Sequence, residues 1–240
     1  MSRIVDLSQP LSRRSPRSVD HPEVEFKTLR TFVTHSSQTH TVYTSVHTGT
    51  HMDAPSLYFK DGKNIDEIPV GRLFGPGVIL DMTRDDWGII TGDDLENARP
   101  RVERGDIVML HTGWHRFYFD DQERYYLKTP GVDKSACDWL VERKVNVVLG
   151  EGPAAEHFFM HSTRWRTLRP DVVGKLEFDA ARFPQGYFHT ALLRNDILII
   201  DQAGGQVDEI VGRRCQIGVM PIMYEGVEAA PVRAFAVVDQ

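Results

Sequence analysis

Three short runs in this chain are apolar almost without interruption: Asp106–His111 around Ile107-Val108-Met109-Leu110, Val145–Leu149, and Ile197–Asp201. A strand with one wet face alternates apolar and polar residues, whereas a continuous run of this length describes a strand covered on both faces. Further strands are expected at Arg3–Leu7, Val24–Thr34, Thr41–Val46, Gly77–Asp81 and Val232–Val238, where Val and Ile predominate between Gly, Pro and Asp. Helices are expected at Asp133–Arg143, where Ala136, Trp139 and Leu140 recur at helical spacing, at His189–Arg194, and at Gly92–Ala98 behind the N-cap Thr91. Strands outnumber helices and the two alternate irregularly. The expected architecture is therefore one α/β domain over residues 1–240, with a large mixed sheet curled into a barrel-like core.

The 240 residues suffice for this without staples, since a single domain of that size buries about 70–75% of its unfolded surface. A net charge of -6 disfavours nucleic acid as a partner, because a phosphate backbone rewards clustered Lys and Arg. The short basic cluster Arg164, Arg166 and Arg169 reads as a surface feature or, second, a contact for a substrate anion. Two cysteines, Cys137 and Cys215, without metal-finger spacing read as reduced thiols. No signal peptide and no apolar stretch of membrane-spanning length is visible, so a cytoplasmic protein with no membrane partner is expected. The Ser-, Arg- and Pro-rich segment Leu11–Pro22 is expected to be a mobile loop.

The most informative segment is His47-Thr48-Gly49-Thr50-His51-Met52-Asp53-Ala54-Pro55. Two histidines and a carboxylate fall within seven residues, a nitrogen and oxygen set that suits Zn²⁺, Mn²⁺ or Fe²⁺ rather than Ca²⁺. Gly49 and Pro55 argue for a tight loop in which Gly49 lets the backbone turn back, so that His47, His51 and Asp53 converge on one point. Three protein ligands with one open position make a working catalytic metal site. A second segment runs from His189 to Asp201, a histidine and an acid able to face one pocket. The aromatics Tyr58, Phe59, Trp114, Phe117, Tyr118 and Phe119 lie near these segments in sequence and would suit a flat aromatic ligand.

At these residues the chain resembles the cyclase family of metal-dependent hydrolases, which includes bacterial kynurenine formamidase, isatin hydrolase and some aromatic polyketide cyclases. The segment from His47 to Pro55 is similar to that family's HxGTHxDxP signature. Ile4-Val5-Asp6-Leu7-Ser8, the stretch Gly105–Val108 running on to Thr112-Gly113-Trp114, Pro130-Gly131-Val132 and Pro231–Ala234 are similar to further family segments. The resemblance implies a single domain with a swivelling β/β/α core, a divalent metal, zinc or manganese foremost, and a homodimer or homotetramer. It also implies roles for His189 and Asp201, which match a family His and Glu twelve residues apart, with Asp in place of Glu.

Two departures stand out. Family members usually carry a His two residues after the signature Pro, where this chain has Leu57. An Asp-Thr pair usual after the strand Val145–Leu149 is replaced by Gly150-Glu151-Gly152-Pro153. Both make a two-metal site harder to build, and any proton acceptor must come from elsewhere: His189, Glu151 and His111 are the candidates. Three readings remain open. The first is a hydrolase of an amide, lactam or ester of a small aromatic carbonyl compound, with metal on His47, His51 and Asp53, catalysis by His189 and Asp201, and a pocket of Tyr58, Phe59, His111 and Trp114. The second is a metal-assisted cyclase closing a ring by carbon–carbon bond formation or dehydration, which Leu57 suits. The third is a binding protein with a degenerate metal loop. His157 and His161 share a metal-like spacing but read as a surface or lid segment.

Overall fold

The structure, a computed structural model, describes residues 2–157, 167–173, 176 and 179–239. Its strands in chain order are β1 (Ser2–Asp6), β2 (Glu25–Arg30), β3 (Thr39–Tyr43), β4 (His51–Asp53), β5 (Phe74–Asp81), β6 (Ile89–Ile90), β7 (Ile107–His111), β8 (Gly131–Val132), β9 (Val147–Gly150), β10 (Leu198–Asp201), β11 (Arg214–Pro221) and β12 (Ala229–Asp239). β12-β11-β5-β7-β9-β10-β4 are hydrogen-bonded in that order, and β4 pairs back onto β12. The result is a closed, seven-stranded mixed barrel. β5, β7, β9 and β10 run parallel, and the remaining pairings are antiparallel. β12 is long enough to serve two strands on one edge, β4 at Ala229–Pro231 and β1 at Phe235–Asp239.

Strand alternation divides the core in two. Met52, Ile79, Met109, Leu149, Ile200 and Val219 point inward and fill the barrel. Leu80, Val108, Leu110, Val148 and Ile199 point outward and pack against the helices, meeting Leu140, Phe188 and Leu192. The three continuous apolar runs are the parallel strands β7, β9 and β10, covered on both faces as their composition requires. The covering helices begin where the sequence supplies caps. The Asp133 carboxylate accepts from the Ala136 amide ahead of helix Lys134–Arg143. Thr91 and Asp94 form a reciprocal capping box on helix Gly92–Asn97. Helix Tyr187–Arg194 packs on β10 and buries Phe188, His189, Leu192 and Leu193.

Several expectations need correction. The run Val24–Thr34 is not one strand: β2 ends at Arg30 and Phe32–His35 is a helical turn. The β2–β3 hairpin stands apart from the barrel with Phe32, Val33, Val42 and Tyr43 exposed. The segment Leu11–Pro22 is not simply an outer loop, for Ser15 and Pro16 are buried and Ser18 and His21 reach the cavity described below. Both cysteines are free thiols, as expected. Among the described residues no helix is long and apolar enough to cross a membrane. Arg164 and Arg166 lie outside the described residues, while Arg169 pairs with Glu123 and Asp171 at the surface.

His161 also lies outside the described residues, but its presumed partner His157 is not on a surface segment. It is fully buried, its Nε2 donates to the Trp87 carbonyl at 2.9 Å, and its ring lies against Phe183. Burial pushes its pKa down to about 4, against the Trp87 hydrogen bond, which favours the charged ring. The unfolded chain takes up this proton near pH 6.5 and the folded chain only near 4, so acid between those values favours unfolding. The neutral ring's stabilising effect is complete above pH 6.5 and is lost progressively down to about 4, by up to about 3 kcal/mol. In urea titrations at several pH values, His157→Gln is expected to flatten the acid limb of the stability profile. An unaltered acid limb would remove His157 from the account.

Candidate active site and metal centre

The site is organised by β4, a three-residue strand held between β10 and β12. Residues two apart on a strand share a face, so His51 and Asp53 project together while Met52 enters the barrel. Asp201 sits directly across from His51 in the β4–β10 register and shares that outer face. Helix Tyr187–Arg194 lies over β10 and lowers His189 onto the same spot. The chain reaches β4 through Gly49, whose φ of 76° is the left-handed conformation the sequence anticipated. The neighbouring Thr50 hydroxyl donates to the Gln202 carbonyl at 2.7 Å and pins the turn to the end of β10.

His47 Nδ1 lies 3.0 Å from Asp53 Oδ1, and His51 Nε2 lies 3.5 Å from the same oxygen. His189 Nε2 lies 3.6 Å from both Asp53 Oδ2 and Asp201 Oδ2. The donor atoms of His47, His51 and Asp53, and those of Asp53, His189 and Asp201, all fall within 4.8 Å of one another in each set. Asp53 is common to both and offers one oxygen to each.

Behind the histidines, acceptors fix the rings. His51 Nδ1 donates to the Gly49 carbonyl at 2.8 Å, which turns the Nε2 lone pair toward Asp53. His189 Nδ1 lies 2.8 Å from Glu156 Oε2, a carboxylate with no exposed surface. Outer acceptors of this kind orient metal-ligating histidines.

These residues fit a divalent ion. Two ligands each about 2.1 Å from a tetrahedral ion are roughly 3.4 Å apart, close to the 3.5 and 3.6 Å separations here. A direct charge-assisted hydrogen bond would close to about 2.7–2.9 Å. Asp201 Oδ1 is moreover buried without a hydrogen-bond partner, a costly state for a carboxylate unless a cation completes it.

The electrostatics agree. Burial raises the Asp53 carboxyl, but the His47 hydrogen bond and the charges of His51, His47 and His189 outweigh it and hold its pKa below the usual range. Asp201, buried beside Asp53, is pushed above it, against the charge of His189. Burial opposes charging His189, yet the charges of Glu156 and Asp201 overcome it and lift its pKa well above the ordinary value. Protons and a metal compete for these lone pairs.

A cavity of ≈ 290 Å³ opens over this cluster. Tyr58 and Leu57 form one side, and the Tyr58 ring lies 5.8 Å from that of His189. Tyr126, Pro153 and Ala154 form another, and Ser18 and His21 close in from the chain's beginning. The His21 ring stacks on His47 at 5.8 Å.

Of the residues singled out from sequence, the structure brings His47, His51, Asp53, His189, Asp201 and Tyr58 together. Phe59, His111 and Trp114 do not line this cavity. Phe59 packs beneath Arg194 on an adjoining groove. Trp114 is buried in an aromatic cluster with Tyr118 and Tyr125, its Nε1 donating to the Tyr125 carbonyl at 3.0 Å. His111 follows the inward-facing Met109 by two residues on β7 and therefore points to the barrel's mouth, away from the outer face that carries the cavity. It pairs there with Glu151, which is fully buried rather than solvated. Burial raises the Glu151 carboxyl, but hydrogen bonds from His111 and His115 outweigh it and hold its pKa down to about 2. Glu156, Tyr126, Gln202, Ser18 and His21 were missed. Gln202 directly follows Asp201, whereas Glu156, Tyr126, Ser18 and His21 arrive from other stretches with no local signature, and only the folded arrangement could identify them.

The cyclase family's sequence model matches residues 5–157. The kynurenine formamidase of Sphingopyxis alaskensis is 27% identical over 249 aligned residues, covering 98% of this chain and 97% of its own. Among solved structures, isatin hydrolase A from Labrenzia aggregata, bound to benzyl benzoate, superposes with a TM-score of 0.82 at 21% identity, covering 100% of this chain and 94% of its own. A structure described as a potential metal-dependent hydrolase with cyclase activity superposes with a TM-score of 0.73 at 21% identity, covering 100% of both chains.

Proposed function

The chain belongs to the cyclase family, and on that premise we propose that it is a metal-dependent hydrolase cleaving the C–N or C–O bond of a small aromatic amide, lactam or ester. The observation that carries this reading is the convergence of His51, Asp53, His189 and Asp201, all buried, on the floor of one cavity. Kynurenine formamidase and isatin hydrolase among its relatives point the substrate class the same way.

His47, His51 and Asp53 would hold the ion, zinc or manganese foremost, with Asp201 on its other side. When bound, such an ion polarises a carbonyl and lowers the pKa of water toward about 7. Asp53 and Asp201 hold the region negative and so retain the cation. His189, its ring fixed through Nδ1 by Glu156, presents Nε2 to the cavity; with a cation's charge offsetting those of Glu156 and Asp201, the ring would be neutral and able to take a proton from an attacking water and return it to the leaving group. Leu57 stands in the cavity wall where the family usually has a histidine, so the His189–Glu156 pair is left as the proton-handling unit. Tyr58 and Tyr126 offer flat faces to an aromatic substrate. Assembly into a homodimer or homotetramer belongs to the same proposal, supported by the apolar residues that the β2–β3 hairpin exposes.

The test is hydrolysis of N-formylkynurenine, isatin and simple aryl esters by protein stripped with chelator and reloaded with zinc or manganese. Turnover that follows the metal is expected. Bound metal with no hydrolysis of any such substrate would shift the reading to ring closure, and failure to bind metal would end it. Within that assay Glu156→Gln is expected to lower kcat roughly 10–100-fold, the usual effect of losing a carboxylate behind a site histidine. KM should change little, because Glu156 acts through His189. Equal kcat in variant and parent would show that the pairing does not matter to the chemistry.

A further inference from the structure

At the carboxyl-terminal mouth of the barrel lies a second set of donors that shares no residue with the first. We propose that His111, His115 and Asp208 form a separate binding site for a zinc-class divalent ion, built on the buried carboxylate of Glu151. This inference does not depend on the proposed hydrolase activity.

The geometry starts at Glu151. Its Oε2 accepts from the Thr112 amide at 3.1 Å, the Thr112 hydroxyl at 3.0 Å and the Trp114 amide at 2.7 Å. Its Oε1 receives His111 Nδ1 at 2.6 Å and His115 Nδ1 at 3.2 Å. Backbone amides only donate, so Oε2 is committed as an acceptor, and an oxygen facing two imidazole nitrogens is served best when both donate. That assignment leaves a lone pair on Nε2 of each ring, and both Nε2 atoms turn toward Asp208. His111 Nε2 lies 3.6 Å from Asp208 Oδ1 and His115 Nε2 lies 3.4 Å from Oδ2.

Two lone pairs thus face a carboxylate at distances too long for charge-assisted hydrogen bonds. They are right for ligands about 2.1 Å from a common ion. One divalent ion satisfies both nitrogens and the carboxylate together. The pattern of a carboxylate behind a histidine behind a metal is the usual outer-shell arrangement.

Local structure holds the set in place. Gly113, at φ 75°, turns the chain after β7 so that His115 comes back beside His111. Gly204 lies so near that an added Cβ would stand 2.5 Å from His115 Cβ. Gln9 Nε2 donates to the His115 carbonyl at 3.2 Å. Asp208 projects from the turn Val207–Glu209 with 64% of its side chain exposed, which gives the ion a route from solvent. Two imidazoles and one carboxylate, with water in a fourth position, suit zinc among biological divalent ions. Once bound, it would clamp the turn 207–209 to the end of β7.

The experiment titrates the chelator-stripped full chain with Zn²⁺ alone, reading bound equivalents and Tm. Asp208→Asn changes an exposed residue and should leave the fold intact. It is expected to bind about one equivalent fewer than the parent and to show a smaller zinc-induced rise in Tm. His115→Gln should lose the same equivalent, and His51→Ala should lose a different one, so that the His51→Ala/Asp208→Asn double variant loses both. Unchanged stoichiometry and an unchanged zinc-induced Tm rise in Asp208→Asn would overturn the proposal, whatever the state of the catalytic metal.

Discussion

Replacing His51 with alanine is expected to empty the catalytic metal site and abolish turnover. The imidazole is one of three donors in the turn from His47 to Asp53, and it alone is locked from behind by a backbone carbonyl, Gly49 O. Losing even an outer partner of a metal ligand costs roughly 10–100-fold in affinity, and losing the ligand itself costs more. His47 is partly exposed and also engaged by Glu228 at 3.0 Å, so it cannot take over the Nε2 position of His51. Asp53 would remain buried with one neutralising neighbour fewer. Turnover should fall by about 10³-fold or more, as when one member of a catalytic unit is removed. The measurement is metal per chain by elemental analysis, made in the Asp208→Asn background so that the second site adds nothing to the count, with circular dichroism to verify the fold. A folded variant that retains a full equivalent would dissolve the ligand assignment.

The sequence carried the parallel heart of the fold because burial on both faces leaves a local mark: β7, β9 and β10 are apolar throughout. It did not carry β4 or β11. β4 is three residues long, and two of them are the polar site residues His51 and Asp53. It is a strand only because β10 and β12 flank it, a non-local fact that no window around His51 contains. β11 is interrupted by Gly218, which gives room to the Phe235 ring and weakens the apolar pattern. The same distinction holds for the site. His47, His51 and Asp53 were legible because one turn supplies all three. Asp201 and His189 needed the register of β10 against β4 and the docking of a helix. Glu156 has no neighbour in sequence that marks it, and its importance appears only where its carboxylate meets His189. His111 was misplaced for want of strand parity: the residue type suited a pocket, but its position on β7 sends it to the other face.

Glu151→Ala is expected to be the most destabilising single substitution in the protein's polar interior. The side chain has no exposed surface and accepts hydrogen bonds from His111, His115, Thr112 and Trp114. Alanine leaves these donors facing a cavity, and each unmet buried donor costs about 1–3 kcal/mol. Water entering the gap recovers part of that. Removing one partner from a buried charged network typically costs 3–5 kcal/mol, so a loss of about that size is expected, a large share of the roughly 5–15 kcal/mol that holds a domain folded. Glu151→Gln keeps the volume and one acceptor oxygen and should lose less, about 1–3 kcal/mol. Urea unfolding with chelator present separates this effect from any loss of metal. Damage should also spread to the cavity, because the Tyr125 hydroxyl donates to the Glu151 carbonyl at 2.7 Å and the Gln202 amide to the Gly152 carbonyl at 3.0 Å. These bonds seat the loop carrying Pro153 and Ala154, which form part of the cavity wall. A midpoint shift worth under about 1 kcal/mol would mean that the donors find other acceptors. The barrel mouth would then be looser than the hydrogen bonds on that carboxylate require.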